Sequence, residues 1–321
     1  MSRTLLIPLD GSKFAEHAVT AAAGIARAEG GRLHLVRAHE APVVPTSPDV
    51  IVPYDAQWDA VLRQEEREYL QGMANRVMER FGITTRTEVV DGPPASAIAT
   101  YARDMEIDLI VMTTHGRGGL SRLWLGSVAD GVVRRSGVPV LLLRSKVNVE
   151  AEEAVRPRNV LIPLDGSDLS TGVIEPALWL GSLWGARFTL LRVVLPDPLI
   201  RPPLRRRDGT EAPAVATAHL DQARENLEEV ARPLRARGLK VDATVIAHPV
   251  PAQGILEWTA ASNVDLIALA THGRGGWSRL ALGSVADKVL RGASVPMLVF
   301  RPAAQPSGLA GSPGPPVSVS A

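Results

Sequence analysis

At 321 residues the chain has material for about two domains of ordinary size, which excludes a single small module. Lys+Arg 35 against Asp+Glu 34 leaves a formal net charge of +1, without the basic excess of most nucleic-acid binders. There is no cysteine, so disulfides, thiol catalysis and cysteine metal sites are excluded.

The first half alternates apolar runs with helix patterns. Thr4–Leu9 is a short apolar run predicted as a strand, with no charged-then-apolar leader before it. Lys13–Ala28 is Ala-rich and predicted helical, and Arg32–Ala38 is a second strand. A long helix is expected over Ala56–Arg80, a third strand over Thr84–Val90 and a helix over Ala95–Met105. Leu109–Thr114 reads as strand four, Ser127–Arg135 as a short helix and Val140–Leu143 as strand five. Such apolar strands separated by helices imply a parallel sheet covered on both faces. Pro8 and Pro163 cannot donate to a ladder and are expected where pairing ends. Gly, Pro or a charge interrupts every apolar stretch before it reaches membrane-span length, so a soluble cytoplasmic protein is expected.

The second half repeats the order, with strands near Val160–Leu164, Phe188–Val194, Val241–Ile246, Leu266–Thr271 and Met297–Phe300. The repetition is also literal. Leu5-Leu6-Ile7-Pro8-Leu9-Asp10-Gly11-Ser12 recurs, with one change, 155 residues on as Val160–Ser167. Thr114–Gly119 recurs at Thr271–Gly276 and Leu125–Asp130 at Leu282–Asp287, both 157 residues on. Two duplicated domains follow, 1–145 and 158–301, joined by a linker at 146–157. The Pro/Gly/Ser-rich tail at 302–321 is predicted to be disordered. One long stretch follows each second strand, His39–Tyr54 and Leu195–Pro213, and both read as lids or docking segments.

In each half, strand four runs into Thr-His-Gly, nine residues follow, and Gly-Ser then opens a helix. Glycines let backbone N–H groups approach an anion, and the first turn of a helix offers free donors and the positive end of its dipole. Ser127 and Ser284 add a hydroxyl and can double as caps. The plainer alternative is a flexible loop with a cap, but the same spacing in both copies favours a phosphate site. Asp10-Gly11-Ser12 and Asp165-Gly166-Ser167 end strand one of each half. Each serine can simply cap the next helix; in an order 3-2-1-4-5, however, each aspartate faces the phosphate loop across the crevice. There it would meet Mg²⁺ on a nucleotide or the ribose hydroxyls. Arg117, Arg274, Arg122 and Arg279 would either neutralise phosphates or lie in solvent. His34 and His39 fall at opposite strand parity, and His115 and His272 stand alone, so no histidine metal site is expected. Walker and nucleophile-elbow motifs are absent.

These motifs resemble the universal stress protein family in its tandem two-domain form, over nearly the whole chain except linker and tail. The nucleotide-binding branch of that family is similar to Gly-x-x-Gly, nine residues, Gly-Ser/Thr. Gly116 with Gly126-Ser127 and Gly273 with Gly283-Ser284 match it, while Thr113 and Ala270 replace the first glycine. The resemblance implies two Rossmann-like (adenine nucleotide alpha hydrolase-like) α/β domains, each an open five-stranded parallel sheet of order 3-2-1-4-5 with helices on both faces. In the first half it implies ATP contacts at Pro8, Leu9, Asp10, Gly11, Ser12, Ala38, Thr113, Thr114, His115, Gly116, Arg117, Gly118, Gly119, Gly126, Ser127 and Val128. In the second they fall at Pro163, Leu164, Asp165, Gly166, Ser167, Val193, Ala270, Thr271, His272, Gly273, Arg274, Gly275, Gly276, Gly283, Ser284 and Val285. Asp10 and Asp165 are the expected partners of a nucleotide-bound Mg²⁺. The family's Val-x-x-Gly-x-Pro-Ala turn is nearly present as Val89–Ala95, whereas in Ile246–Ala252 Pro249 stands where glycine is expected.

The expected protein is therefore an ATP-binding regulator of stress adaptation with little or no catalysis. Its rivals are a slow ATPase or nucleotidyl-transferring enzyme and a nucleotide-free interaction module. The resemblance also implies an intramolecular pseudo-dimer through the fifth strands. A homodimer of the tandem chain through strand-five edges and an unknown protein partner complete the expectation, with no role for nucleic acid or membrane.

Overall fold

The computed structural model describes residues 2–41, 56–114, 125–144, 155–196, 215–271 and 283–301. β1 (Thr4–Pro8) is buried after its first residue, as a strand flanked on both sides and covered on both faces must be. It ends at its proline: Pro8 stands opposite Val36, and the next amide, of Leu9, already donates to the Val36 carbonyl at 2.8 Å. α1 (Lys13–Glu29) starts on a Ser12 cap and stops at Gly30, whose φ of 70° is the left-handed turn glycine adopts cheaply. Its buried face is mostly alanine, which lets the helix lie close on the sheet. β2 (Arg32–His39), α2 (Ala56–Phe81), β3 (Thr85–Asp91), α3 (Pro94–Asp104), β4 (Leu109–Thr113), α4 (Ser127–Arg135) and β5 (Val140–Leu143) complete the first half.

β6 (Asn159–Pro163) opens the second half, but the counterpart of α1 is broken into α5 (Asp168–Thr171) and α6 (Ile174–Ser182). Pro176 explains the break. Its ring clashes with a helical carbonyl four residues back, at Gly172, where the first piece ends. β7 (Arg187–Val194), α7 (Val215–Ala236), β8 (Lys240–Ala247), α8 (Pro251–Ala261), β9 (Leu266–Ala270), α9 (Ser284–Gly292) and β10 (Met297–Phe300) then follow the first half in order.

The strands form one ten-stranded sheet, β3-β2-β1-β4-β5-β10-β9-β6-β7-β8. Pairing is parallel within each half and antiparallel at the central seam, where Leu141 stands opposite Leu298. Side chains of α1, α2 and α6 share one core with one face of the sheet; those of α3, α4, α8 and α9 share the other. The seam corrects one expectation. The outer ladders of β5 and β10 are spent on each other, so a homodimer through those edges has no ladder left to use.

Two arginines lock the seam reciprocally. Arg144, just after β5, donates to the carbonyls of Leu290 and Arg291 at the end of α9, at 2.9 and 2.7 Å. Arg301, just after β10, donates to the Arg134 carbonyl of α4 at 2.6 Å. Each half thus satisfies carbonyls left open at the last turn of the other half's helix, with the cation at the favourable dipole end. Trp179 adds a contact between the halves, its indole N–H donating to Glu29 at 2.9 Å under the Arg3 guanidinium.

His34 and His39 project to opposite faces of β2, as their parity requires. The Tyr101 hydroxyl and His34 Nδ1 are hydrogen-bonded at 3.1 Å. Burial first, then Arg86 and Arg32, hold the His34 pKa below its usual 6.5. The unfolded chain therefore takes up this proton before the folded one does. His34 contributes full stability above about pH 6.5 and loses it as the pH falls. His34→Gln is expected to flatten the decline in urea midpoint between about pH 7 and 5; an unchanged slope would remove His34 as its source.

Candidate functional site

β1 and β4 lie side by side and parallel, yet β1 leads to β2 on one flank and β4 to β5 on the other. α1 covers one face and α4 the opposite one, so a crevice opens beyond the carboxyl ends of β1 and β4. The same divergence occurs at β6 and β9 in the second half.

On one lip stand Asp10, Gly11 and Ser12. Asp10 Oδ1 accepts from the Ser12 amide at 2.9 Å and its hydroxyl at 2.6 Å, while Ser12 Oγ accepts from the Ala15 amide at 3.2 Å. Gly11, with φ 85°, permits the tight turn between them. Asp165, Gly166 and Ser167 reproduce it at 2.9, 2.6 and 3.2 Å, with Gly166 at φ 78°. The local cap-and-turn alternative is therefore real, and it also fixes each carboxylate at the mouth of the crevice.

On the other lip, β4 ends at Thr113, and the Thr114 carbonyl accepts from the Gly126 amide at 2.8 Å. In the second half β9 ends at Ala270, and the Thr271 carbonyl accepts from Gly283 at 2.9 Å. These bonds bring the start of α4 and α9 back to the strand ends. Gly126 and Gly283 themselves take the cap position, and Ser127 and Ser284 are the first helical residues. This corrects the expectation that the two serines act as caps: a first-turn serine is one place too late to cap its own helix. Val128 and Val285 follow in the first turn. Ala38 and Val193 lie near the ends of β2 and β7, on the flank away from the helix starts. His115, Gly116, Arg117, Gly118 and Gly119, with His272, Gly273, Arg274, Gly275 and Gly276, lie outside the described residues, as do Arg122, Arg279, the tail and most of the linker and of both long loops.

A second correction concerns the turn before the third helix of each half. The Gly92 amide donates to His39, and the matching amide that donates to Val194 belongs to His248, not Pro249. Gly92 has φ 103°; His248 takes no positive φ, so the second turn follows another path and holds one extra residue before Pro251. The His248 imidazole then bonds its own turn, through Nδ1 and the Val250 amide and carbonyl.

Sequence reading missed two features near the crevices. His39, 2% exposed, lies between Asp59 Oδ1 and Glu66 Oε2, each 2.9 Å from a ring nitrogen. Arg63 bridges Asp59 and Asp91 at 2.7 and 2.6 Å, and Arg37 reaches Glu66 at 3.2 Å. Asp91 is held below the usual carboxylate range, chiefly by its bond from Arg63. Arg37, Arg63 and the His39 ring thus meet three carboxylates, pinning the start of α2 to the ends of β2 and β3. The second feature is Arg192, whose guanidinium lies against Gly166: a Cβ there would come within 2.9 Å of Nη1. Among the described residues no group of three or more histidines and carboxylates is arranged to hold a metal ion. No described helix is long and apolar enough to cross a membrane.

Comparison with known proteins agrees with the duplicated architecture. The model of the family described as "Universal stress protein family" matches residues 1–144 and again 157–301. A universal stress protein of Methanocaldococcus jannaschii is 33% identical over 145 residues, covering 44% of this chain and 82% of that protein. One from Mycobacterium tuberculosis is 27% identical over 274 residues, covering 84% of this chain and 86% of its own. The crystal structure of a universal stress protein from Archaeoglobus fulgidus superposes with a TM-score of 0.68 at 19% identity, covering 94% of this chain and 99% of that one.

Proposed function

The chain belongs to the universal stress protein family, with two copies of its domain, and from that premise we propose that it is a cytoplasmic ATP-binding regulator of stress adaptation. Each crevice takes one adenine nucleotide, and occupancy governs contact with a protein partner. One observation carries this reading: an Asp-Gly-Ser turn and a Gly-capped helix start converge at the point where strand order reverses, twice in one chain. The first-turn amides of α4 and α9 supply donors and a positive dipole end for phosphates. Neither capping glycine places a Cβ in the ligand's way.

Asp10 and Asp165 would meet the ribose hydroxyls, or a Mg²⁺ ion carried by the phosphates. A single carboxylate with phosphate oxygens suits Mg²⁺, which keeps several waters and needs no all-protein cage. Both carboxylates are already engaged by their own serine, so they are poor general bases, and turnover of ATP is expected to be slow.

Isothermal titration of the purified chain with ATP and Mg²⁺ tests this directly, with two sites expected. Gly126→Val and Gly283→Val should each weaken one site about tenfold or more by crowding the phosphates. The φ/ψ of −59°/149° and −56°/145° are open to any residue, and among the described residues a Cβ at 283 meets only the Thr271 carbonyl, at 3.3 Å. Unaltered affinity in a folded variant would remove the helix start from the site.

A further inference from the structure

The two crevices are not copies of one another at the nucleoside end. Arg37 and Arg192 occupy the same register, one residue past the strand-one proline's partner on the neighbouring strand. Arg37 is drawn away to Glu66 at 3.2 Å and lies 5.5 Å from the Tyr69 ring. Matching the helix residues that pack on the sheet, Leu70, Ala74 and Val77 with Leu227, Ala231 and Leu234, Glu66 is replaced by the uncharged Ala223. Arg192 instead turns to the strand-one end, where Nη1 donates to the Leu164 carbonyl at 3.3 Å and the guanidinium covers Gly166. At this place the second crevice carries the Arg192 guanidinium, whereas Arg37 of the first is drawn to Glu66.

Position decides what this cation reads. β9 and β7 flank β6 on opposite sides. The helix start that would receive the 5′-phosphates follows β9, so Arg192, on β7, stands at the ribose and base end. In dinucleotide folds a carboxylate at the ribose recognises free hydroxyls, and an arginine beside it accommodates a ribose phosphate. Arginine suits that task because its planar fork makes charge-assisted bonds to phosphate oxygens. Resting on the nucleotide reading above, we infer that the second crevice selects an adenine nucleotide carrying an additional phosphate on its ribose, and that Arg192 is the residue that selects it. The first crevice takes the unmodified ribose.

The test uses the full chain and three probes: AMP, adenosine 2′,5′-bisphosphate and adenosine 3′,5′-bisphosphate. In a Gly126→Val chain, which leaves the second crevice to be read alone, one bisphosphate should bind about tenfold or more tighter than AMP. Adding Arg192→Gln should abolish that preference and leave AMP affinity within about twofold. A Gly283→Val chain, reporting the first crevice, should show no preference. Equal binding of all three probes in the Gly126→Val chain, or a preference that survives Arg192→Gln, overturns the inference while leaving the nucleotide reading in place. Tighter AMP binding in Arg192→Gln also overturns it, by showing that the guanidinium merely blocks the crevice. If the wild-type chain binds no adenine nucleotide at all, the reading beneath it fails first.

Discussion

Phe188→Ala is expected to lower unfolding stability by about 3–5 kcal/mol, read as a fall in the urea midpoint at unchanged slope. Phe188 is completely buried in β7. Its ring rests on Gly181 of α6, where a Cβ would stand 2.6 and 2.8 Å from two ring carbons. The glycine exists to admit the ring. Gly181→Ala in the intact chain should therefore cost about 1–3 kcal/mol by overpacking. The same change in the Phe188→Ala chain should stabilise, since the methyl then fills vacated space and alanine favours the helix. The first half provides a natural control. Ala26 stands at the position of Gly181, accepting from the amide two residues before the second strand's first inward residue, and Leu33 stands at that of Phe188. A methyl gained on the helix matches a smaller side chain on the strand. Additive effects of the two changes would refute the coupling.

His39→Val is expected to cost about 3–5 kcal/mol, because it leaves buried Asp59 and half-buried Glu66 facing an apolar group. The second half has Val194 at the position of His39 and Ala247 at that of Asp91. Aligned on the helix residues that pack on the sheet, Ala216 and Ala223 stand for Asp59 and Glu66. The arginine remains there as Arg192, while the histidine and its carboxylates are absent together. The triple change His39→Val, Asp59→Ala, Glu66→Ala should then recover most of the stability lost by the single one. Urea denaturation of both variants at pH 7 measures this. A single change costing less than about 0.5 kcal/mol would show that the group contributes little.

Local chemistry is what a sequence displays, and the outcome follows that line. The duplicated α/β units and the Asp-Gly-Ser turns were legible because each turn is built from residues one to three places apart. Strand ends at Pro8 and Pro163 were legible because proline's missing donor is a property of one residue. The helix break at Gly172 had a visible cause in Pro176, but only knowing where the helix starts gives that proline its meaning. His39, Asp59 and Glu66 lie 20 and 27 residues apart and meet only because α2 folds back over the sheet. Arg144 and Arg301 find their carbonyls 146 and 167 residues away, across a seam whose antiparallel sense no strand pattern encodes. Ser127 misled for a subtler reason: a Gly-Ser pair looks like a capping serine, and hydrogen bonding to Thr114 moves the cap to the glycine.

The reversal of strand direction between β5 and β10 has a consequence for anything that docks on the molecule. Strands of the first half point their carboxyl ends toward one rim of the sheet, and those of the second half toward the opposite rim. A small effector bound at one rim cannot touch its counterpart, and a single flat partner cannot cover both mouths. The crevices beyond β1 and β4 and beyond β6 and β9 therefore open at opposite rims of one continuous sheet.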